Sequence, residues 1–327
     1  MKKYGMLALA MLTSAGLIAA AWAHEGGRGA PDPDQERPDW HDSQWGPDDT
    51  LGAINRLTAE HVLEAAQLIR YGKTYELGVV TGPDTPAYPP RSFSMTILQP
   101  GDGTGPTMGE NRVTGNDDMM LSWLGIGSQI DGLGHLGIDH YYYNGLHASE
   151  FVETTGLTRL GTHEIPPIVT RGVLLDMTRH YEEDPVTEGT AFNRDEIRAV
   201  AEAQGIEIRE GDVVLFHTGW QALAESDPER FMAGEPGLGL DGARYLAEIG
   251  AVAVGADNWA LEALPHEDSS LAFPVHAELL AKEGIYILEN MNTAELAADE
   301  GWEFLFVLGT PKFYGAVQMV INPVAIR

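Results

Sequence analysis

Asp131 and His135 stand four residues apart in the run Gly125 to His135, which also holds Gly127, Gly132 and Gly134. A carboxylate and an imidazole held together are donors that suit a divalent ion such as Zn²⁺ or Mn²⁺. On a helix this spacing would put both on one face. The glycines, Gly137 included, predict instead a tight loop folded around something small. The competing assignment is a glycine-rich turn with Asp131 capping backbone N–H groups and His135 in solvent.

A second pair is His276 and Glu289. A helix of about eight residues starting at His276 climbs ~12 Å. Gly284 then reverses the chain, and a strand of about five residues descends ~16 Å. The end of the strand therefore returns near the start of the helix, and the two side chains can face one site; the alternative is a surface salt bridge. His140, ahead of Tyr141-Tyr142-Tyr143, either lines a pocket or sits in an exposed turn. His217 closes a buried strand, a position that suits a site or a satisfied core histidine equally. His266 belongs to no readable constellation.

Other chemistries are excluded. With no cysteine there is no thiol nucleophile, zinc–thiolate site, iron–sulfur cluster or disulfide. No Gly-x-Ser-x-Gly elbow and no phosphate-binding loop occurs, and Gly125-Ile126-Gly127 runs on to Ile130 where a dinucleotide fingerprint needs glycine. The 49 acidic against 20 basic residues, a net charge of −29, argue against nucleic acid and anionic membrane as partners.

The elements that must position these residues are those of one domain. The 327 residues are 43% hydrophobic, enough for a full core. Residues 1–23 read as an export signal, with Lys2 and Lys3, an apolar stretch from Met6 to Ala21, and Ala21-Trp22-Ala23 as the cleavage site. An exported, periplasmic or secreted protein is expected, with no membrane contact after cleavage. Residues 24–50 form an arm rich in Gly, Pro and Asp, and residues 51–327 one α/β domain. Thr58 to Tyr71 predicts a helix burying Val62, Leu63, Ala66 and Ile69 and stopped by Gly72. Strands are predicted at Tyr75–Val80, Phe93–Leu98, Gly172–Met177, Asp212–Phe216, Ala251–Gly255, Ile285–Leu288, Phe304–Leu308 and Ala316–Ile321. Asn193 with Glu196 makes a capping box for a helix ending at Gly205, and another helix runs from Asp241 to Gly250.

At these residues the chain resembles the metal-dependent cyclase family, which includes bacterial kynurenine formamidases and isatin hydrolases. The family signature, His-x-Gly-Thr-His-x-Asp-x-Pro-x-His, aligns with Gly125 to His135. Trp45 to Asn55, Gly211 to Gly219, Val254 to Asp257 and His276 to Asn290 resemble further family blocks. The resemblance implies a single mixed β/β/α swivelling-type domain and a homodimer or larger homo-oligomer. It also implies metal ligation by Asp131, His135, His276 and Glu289. The first two signature histidines are replaced by Gly125 and Gln129, so one ion is expected rather than two, Mn²⁺ or Zn²⁺, with Gln129 as a weak ligand or a donor orienting Asp131. The implied reaction is hydrolysis of an aryl formamide, cyclic amide or lactone by metal-activated water, with Glu289 or His140 moving the proton. A polyketide-type cyclase or dehydratase, and a non-catalytic periplasmic binding protein for a small molecule, are the alternatives.

Overall fold

The computed structural model describes Trp40, residues 42–98 and residues 104–327. The expected export signal, and residues 24–39 and 41 of the expected arm, lie outside the described residues. Within the compact unit Arg37–Arg327 the strands of three or more residues are, in chain order, β1 (Thr74–Glu76), β2 (Phe93–Leu98), β3 (Asp117–Ser122), β4 (Gln129–Asp131), β5 (Ile168–Asp176) and β6 (Val213–His217). They continue as β7 (Ala253–Ala256), β8 (Tyr286–Glu289), β9 (Glu303–Leu308), β10 (Gln318–Val320) and β11 (Val324–Ile326). Nine form one sheet in the order β1-β11-β9-β5-β6-β7-β8-β4-β10.

The middle of this sheet follows from composition. β6, β7 and β8 are buried along their whole length, as near-continuous apolar runs require when both faces are covered. β5 through β8 pair in parallel, so each link needs a crossover. The first two crossovers contain α2 (Arg194–Gln204) and α3 (Leu240–Ile249); the helix α1 (Ala59–Ala66) precedes them all. The Asn193–Glu196 capping box is present, and Gly205 and Gly250 close their helices in the left-handed region. The third crossover is a helical turn, Pro274–His276, running into a π-helix, Ala277–Glu283, that Gly284 ends at φ 66°.

Three expectations are corrected. α1 stops at Ala66, where the N–H of Gln67 turns back to Glu64 and Ala65. Its contact residue is Ala65, while Val62, Leu63 and Ile69 are exposed, so the apolar stripe faces outward. The segment around Asp131 is not a loop closed on itself: Gln129–Asp131 is a strand inside the sheet, antiparallel to both β8 and β10. Its glycines serve backbone packing, since a Cβ on Gly132 would stand 2.7 Å from the Val317 carbonyl oxygen. The expected strand Tyr75–Val80 is the short edge strand β1 instead.

Among the described residues the hairpin β2–β3 pairs only with itself and leaves Met95, Ile97, Met119 and Leu121 exposed. The described end of the arm is a wrap. The hydroxyl of Tyr143 donates to Asp49 at 2.7 Å, and the amide of Asn144 donates to the carbonyls of Gly46 and Asp49. Next to it, the N–H of Ala53 donates to the Gly284 carbonyl at 2.8 Å, which pins the reversal between the π-helix and β8.

Gly255 sets the spacing of β7 and β8: a Cβ there would lie 2.7 Å from both the Cβ and the carbonyl oxygen of Leu288. Neither is the free end of a side chain, so the strand must move. Gly255→Ala is expected to cost about 1–3 kcal/mol by overpacking, read as a lower urea midpoint at unchanged m-value.

Candidate metal centre

Alternation and register decide which side chains meet. Asp131 is aligned with Ile287 of β8 and Gln318 of β10, and Gln129 with Glu289 and Val320. Aligned residues, and residues two apart, point to the same face. Asp131, Gln129, Glu289 and Gln318 therefore share one face of the sheet. His276 reaches them from the turn before the π-helix. Its Nε2 lies 3.2 Å from Glu289 Oε1 and 3.5 Å from Asp131 Oδ2. One ligand atom from each of Asp131, His276 and Glu289 falls within 4.8 Å of the others, and all three residues are buried.

The other expected residues divide. His135 lies at the margin, Nε2 3.8 Å from Asp131 Oδ2, with its side chain 16% exposed against 0% for Asp131. Gln129 donates its amide nitrogen to Glu289 at 2.5 Å and to Asp131 at 3.4 Å, which ties the two carboxylates together. His140 is not brought to the centre. Asp139 and His140 both take positive φ, and His140 is exposed, its ring edge-on to His147. The turn here closes with Ile138 and Tyr141 exchanging backbone hydrogen bonds at 2.8 and 2.9 Å. His217 lies on the opposite face of the sheet, one residue beyond Phe216, which is aligned with Ala256. Its Nδ1 is 2.8 Å from Thr293 Oγ1 and 3.1 Å from Asp257, beside a cavity of about 1050 Å³.

Three functional residues escaped the sequence reading. Glu262, buried in the loop after β7, lies 2.5 Å from His276 Nδ1 and 3.3 Å from His266 Nδ1. It thereby fixes which nitrogen of His276 faces the centre. The four-residue spacing of Glu262 and His266 was the one available signal. Gln318 donates to Asp131 Oδ1 at 2.7 Å, and Arg91 donates to the Gly125 carbonyl at 2.6 Å. Neither had a local signal, because each arrives from a distant part of the chain.

The electrostatics follow from burial of like charges. Burial, and then the charge of Asp131, push the Glu289 carboxyl up to about 7. Burial acts on Asp131 in the same sense, but the His135 and His276 charges and a hydrogen bond from Gln318 outweigh it, so Asp131 is held low. Burial opposes the charged form of His276, yet Asp131, Glu262 and Glu289 together raise it well above its ordinary value. His135 is held below its ordinary value by burial, against the pull of Asp131, and stays neutral at pH 7.

A divalent ion fits this centre. Asp131 Oδ2 and Gln129 Oε1 are buried without a hydrogen-bond partner, an arrangement that costs free energy unless a further ligand meets them. Two carboxylates and one imidazole, with no sulfur, suit Mn²⁺ or Zn²⁺.

Two outcomes are expected. Between pH 4.5, the ordinary Glu value, and about 7, folded Glu289 keeps a proton that the unfolded chain has lost. Stability of the metal-free protein therefore falls as pH rises through this window, and above 6.5, the ordinary His value, the raised His276 adds a further loss in the same direction. Metal takes the deprotonated groups, so its affinity rises over the same window with release of protons. Melting curves with and without Mn²⁺ across this range, and calorimetry in buffers of different ionisation enthalpy, read both effects. Glu262→Gln keeps the ligand set but is expected to weaken Mn²⁺ binding roughly 10- to 100-fold, measured by the same titration.

Comparison with known proteins bears on the family and the fold. Residues 75–263 match the family model described as putative cyclase. A solved structure described as a novel cyclase is 29% identical, with a TM-score of 0.78 over 86% of this chain and 96% of that one. An isatin hydrolase from Ralstonia solanacearum is 18% identical, with a TM-score of 0.59 over 83% and 98%. A protein from Bacillus stearothermophilus described as a predicted metal-dependent hydrolase is 20% identical, with a TM-score of 0.52 over 77% and 97%. No functionally curated protein matches.

Proposed function

The chain belongs to the cyclase family, and from that premise we propose that it is a metal-dependent hydrolase of a small carbonyl compound: an aryl formamide, a cyclic amide or a lactone. The observation that carries this reading is the buried convergence of Asp131, His276 and Glu289 around a carboxylate oxygen, Asp131 Oδ2, that accepts no hydrogen bond within the geometric limit. The names of the similar structures, isatin hydrolase and metal-dependent hydrolase, support it.

In this reading Asp131, His276 and Glu289 hold one Mn²⁺ or Zn²⁺. When bound, such an ion lowers the pKa of a coordinated water and polarises a carbonyl. The protein's own part is to fix those groups. Glu262 keeps the proton of His276 on Nδ1, so that Nε2 offers its lone pair, and the Gln129 amide holds the two carboxylates in register. His135, neutral and the most exposed of the cluster, is the proton carrier. It accepts the proton of the attacking water and returns it to the leaving nitrogen or oxygen. Glu289, buried and bonded to Gln129 and His276, takes its place in the ligand set.

Chelation of the purified protein is expected to abolish hydrolysis in a screen of formamides, lactams and lactones, and Mn²⁺ or Zn²⁺ to restore it, with each product heavier than its substrate by one water. Full activity in chelator would sink the reading. A product lighter by one water would identify a dehydrating cyclase. A ligand recovered tightly bound and unaltered, with no turnover of any compound, would identify a binding protein.

A further inference from the structure

We propose that Arg91 forms a carboxylate-binding site beside the metal centre, so that the preferred substrates carry a carboxylate next to the reacting carbonyl. The inference rests on the hydrolase reading and names its substrate class.

The argument begins at Gly125. A Cβ there would stand 2.6 Å from Gln318 Oε1, 2.8 Å from an Arg91 guanidinium nitrogen and 2.9 Å from Gln318 Nε2. The space that a side chain at position 125 would fill is therefore taken by these two residues. Gln318 spends its amide nitrogen on Asp131, a member of the centre. Arg91 spends one N–H on the Gly125 carbonyl, and its own backbone N–H donates to the Tyr88 carbonyl at 2.8 Å, at the root of the hairpin β2–β3. The guanidinium is thus anchored at one nitrogen, half-buried, and close enough for its charge to act on Glu289 and His135.

The rest of the fork makes no hydrogen bond to a described residue. A guanidinium has five N–H donors. Among the described residues, Arg91 makes one side-chain hydrogen bond and no ion pair, although it stands beside a carboxylate-rich centre. Asp131 and Glu289 are turned toward His276 and Gln129 and do not reach it. An arginine that is positioned but unpaired at the edge of a site matches a carboxylate with two parallel N–H donors. The same donors suit the product side of the reaction. Water's hydroxyl joins the carbonyl carbon, the C–N or C–O bond breaks, the proton passes to the leaving atom, and a new carboxylate forms where Arg91 can hold it.

The test uses the Mn²⁺-loaded full chain with benzoate and its neutral counterpart benzamide, binding being read from Mn²⁺-induced relaxation of the ligand ring protons. Wild type is expected to favour benzoate. Arg91→Gln, compared with wild type at saturating Mn²⁺, should weaken benzoate roughly tenfold or more with benzamide affinity unchanged, and Arg91→Lys should recover part of the loss. Gly125→Ala, which pushes the Arg91 and Gln318 ends aside while keeping their charge, should weaken benzoate in the same direction. Arg91→Gln protein that holds Mn²⁺ and binds benzoate as wild type does would overturn the proposal. Wild-type protein that hydrolyses uncharged formamides or lactones while showing no preference for benzoate would overturn it and leave the hydrolase reading standing. Failure of wild type to hold Mn²⁺ would overturn both.

Discussion

Three carboxylates gathered out of water around one imidazole set the terms for this fold. Asp131, Glu262 and Glu289 are each buried, and each lies within ion-pair distance of His276. Removing charges from water costs several kcal/mol each unless opposite charge and hydrogen bonds meet them. One imidazolium cannot neutralise three carboxylates. The metal-free chain answers by holding a proton on Glu289 near neutral pH, and a divalent ion answers without protons. The same feature that strains the empty cluster is thus the source of its affinity for a cation.

The sheet exists in the form it does to hold that cluster. The parallel strands β5 to β8 supply a rigid apolar floor, and the antiparallel pair β4 and β10 is added at the edge where β8 ends in Glu289. Because alternate residues face opposite ways, this addition puts Gln129, Asp131 and Gln318 on the same side as Glu289. It leaves His217 and Asp257 on the other side, around a separate cavity. The reversal at Gly284, braced by the Ala53 N–H on the Gly284 carbonyl, brings His276 back over the strand end. A displacement of about 1 Å in β8 would break the cluster, which is why close approaches such as Gly255 against Leu288 matter to the site as well as to stability.

The absence of a side chain at Gly125 has a structural sequel. It makes room for an arginine and a glutamine from the far ends of the site, one before the hairpin and one on the last antiparallel pair. Gln318 reinforces Asp131 directly. Arg91 adds a positive charge beside Glu289 and His135. The metal centre and the arginine together make an environment suited to negative charge, although the protein as a whole carries −29.

Local chemistry was legible in the sequence wherever one short segment settles the outcome. The capping box of Asn193 and Glu196, the glycine stops at 205, 250 and 284, and the apolar runs of β6 and β7 depend on neighbours a few residues away. The meeting of His276 with Glu289 followed from the rise of a helix and a strand joined by one reversal. What the tertiary structure alone decided are relations of register and packing between distant segments. Three-residue β4 has too little pattern to declare itself, and it becomes a strand only because β8 and β10 flank it. The stripe of α1 faces outward because Ala65, not Leu63, makes the contact. His140 sits exposed in a turn where it and Asp139 both take positive φ. Glu262, Arg91 and Gln318 join the site from positions that no spacing rule connects, since hydrogen bonds across a sheet or a loop are fixed by three-dimensional proximity and leave no period along the chain.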